Sequence, residues 1–131
     1  FYWKPCKNGA VPQDSIIGGR DKDGTDLYVG RAFYEGDMLP AKIVPSHGCA
    51  FVCYNGKEYR VMQYEVLVGT NLVWQNSSDG KIPPDAVEVG ETAKREKLYA
   101  GRVLHDGTLT LGKVSLCSNH RISGPKPNHH I

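Results

Sequence analysis

The segment Asp21-Lys22-Asp23-Gly24-Thr25-Asp26 crowds three carboxylates into six residues, which is how a calcium loop begins, because a hard cation collects oxygen ligands. A complete loop of that kind needs glycine at its sixth position and a bidentate glutamate at its twelfth. Asp26 and Ala32 stand there instead. A hairpin turn accounts for the segment better, and a weak calcium site on Asp21, Asp23 and Asp26 is the residual alternative. Soft ligands are also present: Cys49 and Cys53, Cys117 with His120, and His47. Structural zinc sites show tighter, paired spacing, so Cys6, Cys49, Cys53 and Cys117 read as up to two disulfides, in any of three connectivities, or as reduced core thiols. No nucleophile elbow, metalloprotease helix motif or phosphate-binding loop is present. No Gly-rich nucleotide loop supports group transfer, and nothing marks one carboxylate of a pair as a general acid. His129-His130 reads as an exposed chain end. The expectation is a protein that does no catalysis and holds no resident metal or cofactor.

Whatever these residues do, short strands and tight turns must position them. The chain has 131 residues, enough for one domain, with 15 Gly and 8 Pro, a composition of frequent turns rather than long helices. Sixteen Lys and Arg against fourteen Asp and Glu leave a net charge of +2, too little for a protein built to neutralise nucleic acid. At 40% apolar residues it can bury a core, yet no apolar run nears the ~18 residues that span a bilayer. Ser15 to Gly18, Leu27 to Ala32, Lys42 to Val44, Ala50 to Tyr54 and Tyr64 to Val68 are β-favouring runs. Turn residues separate them, Asn55-Gly56 being the strongest hairpin signal because both positions must take positive φ.

A shift of 71 residues aligns the chain with itself without a gap. Trp3 meets Trp74, Gly9 Gly80, Pro12 Pro83, Asp14 Asp85, Gly19 Gly90 and Leu27-Tyr28 Leu98-Tyr99. Gly30-Arg31 meets Gly101-Arg102, Gly36 meets Gly107 and Lys42 meets Lys113. Eleven identities at one offset, in residues that seldom match by chance, indicate two copies of one unit. Either copy alone would bury only ~60% of its unfolded surface. The expected fold is therefore all-β: repeat one over 1–70 and repeat two over 71–131 of a single domain, sandwich-like, related by a pseudo-two-fold axis and sharing one core. The register also overrules helix propensity over Glu91 to Leu98, which becomes a hairpin like Asp21 to Leu27. Trp3 and Trp74 open their repeats at one register, so packing is expected of them rather than sugar stacking. Arg31 and Arg102 read as structural. The copies diverge at the end: repeat two runs into Ser123 to Ile131 with two prolines, so its closing strand is expected to be missing or replaced.

The run Leu-Tyr-Val-Gly-Arg-Ala (27–32), Glu-Gly-Asp (35–37), Pro-x-Lys (40–42), Pro-Ser-His-Gly-Cys (45–49), Tyr-Asn-Gly-Lys-Glu (54–58) and Tyr-Glu-Val-Leu (64–67) resembles the DM-nine repeat family of invertebrate proteins, related to the lectin part of natterin-like toxins. The resemblance implies a pseudo-symmetric all-β domain and mannose-type carbohydrate recognition in innate immunity. It also implies that the Asp of Gly19-Arg20-Asp21 and the Lys of Pro40-Ala41-Lys42 hold the sugar. The chemistry is sound, since a carboxylate beside an ammonium satisfies two neighbouring hydroxyls with charge-assisted bonds. Asp37 is expected at the rim. Repeat two keeps Lys113 but has Thr92 in place of Asp21, which leaves a second site in doubt. The expected partners are mannose-containing glycans on microbial surfaces, with no nucleic acid and no membrane span. A homodimer or larger assembly would add avidity to one shallow site. The alternative is an infection-responsive protein that binds a microbial or host protein and has no sugar site. Phe1 in place of Met reads as a processed, trimmed or fragmentary chain, and the sequon Asn76-Ser77-Ser78 suits a secreted protein, with a cytoplasmic location as the alternative.

Overall fold

Burial alternates along Asp26–Tyr34 and Asp37–Val44, the signature of strands with different environments on their two faces. The computed structural model describes residues 1–76, 82–105, 108–115 and 129–130, with side chains to Arg102 (Asn76 excepted). The strands are β1 (Tyr2–Lys7), β2 (Ile17–Arg20), β3 (Asp26–Tyr34), β4 (Asp37–Val44), β5 (Cys49–Tyr54), β6 (Lys57–Val61), β7 (Gln63–Val68), β8 (Gln75–Asn76), β9 (Gly90–Glu91), β10 (Lys97–His105), β11 (Thr108–Ser115) and β12 (His129–His130). The only helix among the described residues is a 3-10 turn at Pro45–His47, and none is long and apolar enough to cross a membrane. The fold class is all-β, as expected.

All strands join one antiparallel network in the order β1-β7-β3-β2-β11-β10-β9-β4-β5-β6, with β3 also paired to β4 and with β12 joining β10 to β8. The turn at Asn55-Gly56 has φ of 51° and 76°, and Glu35-Gly36 has 51° and 86°, the doubly positive geometry that suits a hairpin's twist. Strands β1 and β6 were not anticipated. They are the two ends of the order, and carry Lys4, Pro5 and Lys7, or Lys57, Glu58 and Arg60. Charge and proline are how exposed edges avoid further pairing, and they also hide a strand from pattern reading.

The offset of 71 recurs in the hydrogen-bond registers. All seven pairs of the β3–β4 hairpin, from Tyr28↔Ile43 to Tyr34↔Asp37, have counterparts in β10–β11, from Tyr99↔Val114 to His105↔Thr108. Gly19↔Leu27 and Arg20↔Asp26 likewise match Gly90↔Leu98 and Glu91↔Lys97. The helix-prone segment Glu91 to Leu98 is thus a hairpin. The halves also join reciprocally: Met38 pairs with Glu91, while Leu109 pairs with Arg20. Finally, β7 meets β3 at Gly30↔Val66 and Arg31↔Glu65, and β12 meets β10 at Gly101↔His130 and Arg102↔His129. In the second half His129 and His130 thus stand at the ladder positions that Glu65 and Val66 of β7 hold in the first.

Two apolar clusters lie on opposite faces of β3. One gathers Ala32, Leu39, Ala41, Ile43, Val52, Val66 and Leu98. The other joins Val29 and Leu67 to Val87, Val89 and Ala100, with Trp3 and Trp74 against it. Each cluster mixes residues from both halves of the chain. Gly30 must lack a side chain, because a Cβ there would sit 2.4 Å from Ile43 Cδ1 and 2.6 Å from the Glu65 carbonyl.

Candidate functional site

The turn that carries Asp21 is built by its own backbone. The Asp21 N–H donates to the Thr25 carbonyl at 2.9 Å, and the Gly24 N–H donates to the Asp21 carbonyl at 3.0 Å. One Asp21 carboxylate oxygen accepts from the Lys22 N–H at 3.0 Å. Asp23 is tied to Thr25, accepting from its N–H at 3.0 Å and its hydroxyl at 2.6 Å. The Thr25 hydroxyl is the main reason the Asp23 carboxyl lies below the usual range, with the Thr25 N–H next and a small contribution from His47. Asp26 pairs instead with Arg20 at 3.4 Å. The three acids of the calcium-like run thus have three separate occupations. Among the described residues no three His, Cys, Asp or Glu side chains gather as a metal-ligand set.

The second half makes the same turn with different side chains. Thr92 N–H donates to the Glu96 carbonyl and Arg95 N–H to the Thr92 carbonyl, both at 2.9 Å. The Thr92 hydroxyl accepts from Lys94 and Glu96 N–H groups. Arg95 takes φ 71° where Gly24 takes 85°. An uncharged hydroxyl therefore suffices to cap this turn, and the charge on Asp21 is surplus to the turn's construction.

Lys42 lies in the middle of β4, opposite Val29 on one side and Phe51 on the other. Its ammonium is 3.2 Å from Glu58 Oε2 and 5.6 Å from the centre of the Phe51 ring, and its side chain is 25% exposed. His47 meets the other side of this aromatic neighbourhood edge-on, its ring 6.2 Å from Phe51, and Arg60 Nη2 donates to the His47 carbonyl at 3.0 Å. Glu58, Phe51, His47 and Arg60 were not anticipated as neighbours of Lys42. The period-two alternation of β5 and β6 would have placed Phe51 and Arg60 beside it once β6 was recognised as a strand.

Asp21 and Lys42 do not touch. They lie on either side of the line of β3, about 10 Å apart across two strand spacings, Asp21 level with Thr25 just before β3 and Lys42 level with Val29, about 13 Å along it. A molecule held by both must bridge that distance. Asp37 belongs elsewhere: it opens β4 opposite Tyr34, and its carboxylate accepts from the Ala93 N–H at 2.8 Å. It caps the turn of the second half and lies at the far end of β4 from Val44. Lys113 pairs with Ala100 in β11. Cys117, Ser77 and Ser78 lie outside the described residues, while Asn76 pairs with His129 in β8. Among the described residues Cys6 and Cys49 form no disulfide, and Cys49 is fully buried.

The two tryptophans hold the same partner in both halves. The Arg31 guanidinium lies 4.2 Å from the Trp3 ring centre and that of Arg102 lies 4.3 Å from Trp74. Stacking of this kind occupies one face of each tryptophan, and both rings pack against the second apolar cluster. Arg31 also pairs with Glu65, Nε to Oε1, at 2.6 Å. Arg102 Nε is buried without a hydrogen-bond partner among the described residues, and burial pulls its pKa down.

A comparison with curated proteins returns no match. A family model for the DM9 repeat matches residues 21–124, a span that contains the paired hairpins, both turns and the Lys42 cluster. The chain belongs to the DM9 repeat family.

Proposed function

We propose that the protein is a carbohydrate-binding module of mannose type, acting in innate immune recognition outside the cell and performing no catalysis. The observation that carries the reading is the Lys42 cluster, in which a half-buried ammonium, the Glu58 carboxylate and the Phe51 ring stand together at the surface. A pyranose offers what such a cluster satisfies: vicinal hydroxyls for the charged pair and a C–H face for the ring. Asp21 adds a second carboxylate across β3, on a turn that its counterpart Thr92 builds without one. The site needs no metal. Asp37 is occupied by Ala93 and plays no part in it, and the second half, with Thr92, binds sugar weakly or not at all.

We further infer that the halves are tandem repeats about a pseudo-two-fold axis, sandwich-like around a shared core. The repeated registers and the reciprocal pairs Met38↔Glu91 and Leu109↔Arg20 support this. One shallow site per chain favours a dimer, whose two sites would raise avidity on a microbial glycan; a monomeric sedimentation profile at micromolar protein would count against it.

Calorimetric titration of mannose, with and without chelator, tests the sugar reading. Saturable heat that survives chelator is expected of the native protein. Lys42→Met should abolish the heat. Asp21→Thr, which copies the residue of the other half, should leave mannose heat and the melting temperature unchanged and weaken only a mannose oligosaccharide long enough to reach across β3. An absence of heat from folded native protein would remove mannose as the ligand.

A further inference from the structure

Beyond the Lys42 cluster, the structure has a second place built to hold something. Strands β3 and β7 pair at Gly30↔Val66 and Arg31↔Glu65 and then part. From there, among the described residues, β3 continues through Ala32, Phe33 and Tyr34 paired only with β4, and Gln63 and Tyr64 of β7 pair only with β1. The fork opens a cleft of about 540 Å³, within the size range of ligand sites. Consecutive residues line each wall, Ala32 with Phe33 and Gln63 with Tyr64. Neighbours on a strand point to opposite faces, so a cleft lined by both passes between the strands rather than over one face.

The direction of the main-chain groups follows from their neighbours. Val29 N–H donates to the Ile16 carbonyl, and Ile16 N–H donates to the Leu67 carbonyl. Odd-numbered residues of β3 and of β7 therefore turn their N–H and C=O groups towards each other. Arg31↔Glu65 uses that arrangement, and Phe33 with Gln63 would be the next such pair. Among the described residues Phe33 and Gln63 pair with no strand inside the fork, so two strand edges face each other across the cleft. The mouth adds Phe33, 73% exposed, and Met38 on one side. Lys7 stands on the other, exposed and without a carboxylate partner among the described residues.

We propose that this fork is a docking site for an extended segment of a partner protein, which enters as an added strand. Facing main-chain edges recognise a peptide backbone, and a glycan has no regular donor–acceptor repeat to offer them. Apolar side chains at alternate positions of the segment pack on Phe33 and Met38, and an acidic residue in the same alternating series meets Lys7. The site is independent of the sugar reading and remote from Lys42 in function.

The test uses capped hexapeptides that alternate valine with threonine and carry one glutamate, added to the whole chain. A bound peptide should slow amide exchange at Phe33 and Gln63 and leave the outer edges of β1 and β6 unchanged. Methylating the peptide's alternate backbone nitrogens, or the variants Phe33→Asp and Lys7→Glu, should each weaken binding by about tenfold or more. Mannose heat should not change in either variant. Binding that protects β1 or β6 instead, that tolerates backbone methylation, or that fails altogether at millimolar peptide would overturn the proposal.

Discussion

Two arginine–tryptophan pairs, one in each half, share a stacking geometry and differ in what lies beyond. Arg31 over Trp3 has Glu65 beside it at 2.6 Å. Arg102 over Trp74 has His129 at the matching ladder position, and its Nε is left without a partner among the described residues. The turns tell a parallel story, since Asp21 and Thr92 cap the same backbone with and without a charge. What the halves hold in common is what packing requires. What they do not share has been free to take on chemistry or to lose it.

The largest effect is expected where the halves join. A Cβ at Gly90 would lie 2.1 Å from the Met38 carbonyl, so Gly90→Ala must push β9 away from β4. A loss of about 3 kcal/mol or more is expected in denaturant unfolding, whereas an alanine at Gly24, which has open space around it, strains only its own backbone and should cost about 1 kcal/mol.

Next comes Tyr64, whose hydroxyl donates to the Ala10 carbonyl at 2.8 Å. Burial raises its pKa from 10.0 to about 12. The folded state thus prefers the neutral phenol, and its contribution is whole below pH 10 and disappears as pH climbs to about 12. That amounts to about 2–3 kcal/mol of stability lost in alkali. Tyr64→Phe should flatten the stability profile across this window, and an unchanged profile would mean that another group governs it.

The arginine comparison can be sharpened from both sides. Glu65→Gln removes the carboxylate from a half-exposed pair and should cost about 1–2 kcal/mol. His129→Glu should bring the second half towards the first, raising stability by about 1 kcal/mol. A null result for His129→Glu would show that Arg102 has no use for a carboxylate there. The smallest change in stability, within about 0.5 kcal/mol, is expected of Thr92→Asp, because the turn accepts either residue. Phe51 and Glu58 have Ile122 and His129 at the matching positions, so this variant should leave the calorimetric stoichiometry at one site; a rise to two would show that an Asp and a Lys suffice without the ring.

Much of the fold was legible from the 71-residue offset, because glycine, tryptophan and arginine mark positions where backbone approach or stacking leaves little choice. Gly30 against Ile43 and Arg31 on Trp3 are such positions. The offset also outweighed local propensity at Glu91 to Leu98, since the hydrogen bonds of that hairpin are main-chain bonds that helix-forming side chains do not prevent. Strands β1 and β6 were hidden because an edge strand is selected for charge and proline, which read as loop. The partners of Lys42 were hidden with β6, for Glu58 and Arg60 gain meaning only once that strand is laid beside Phe51. The contact of Asp37 was hidden for a related reason: its neighbour Ala93 lies 56 residues away, and no local pattern brings them together.

The reciprocal joints have a consequence in time. During synthesis, Arg20 and Met38 leave the ribosome long before Leu109 and Glu91 exist to pair with them. At usual elongation rates the remaining stretch of some 70 residues takes about 4–14 s, far longer than a hairpin needs to form. The first half is then a nascent chain with two vacant sheet borders. Neighbouring chains on one messenger carry the complementary borders, so they have seconds in which to exchange halves. A domain-swapped dimer is the by-product that this topology makes available.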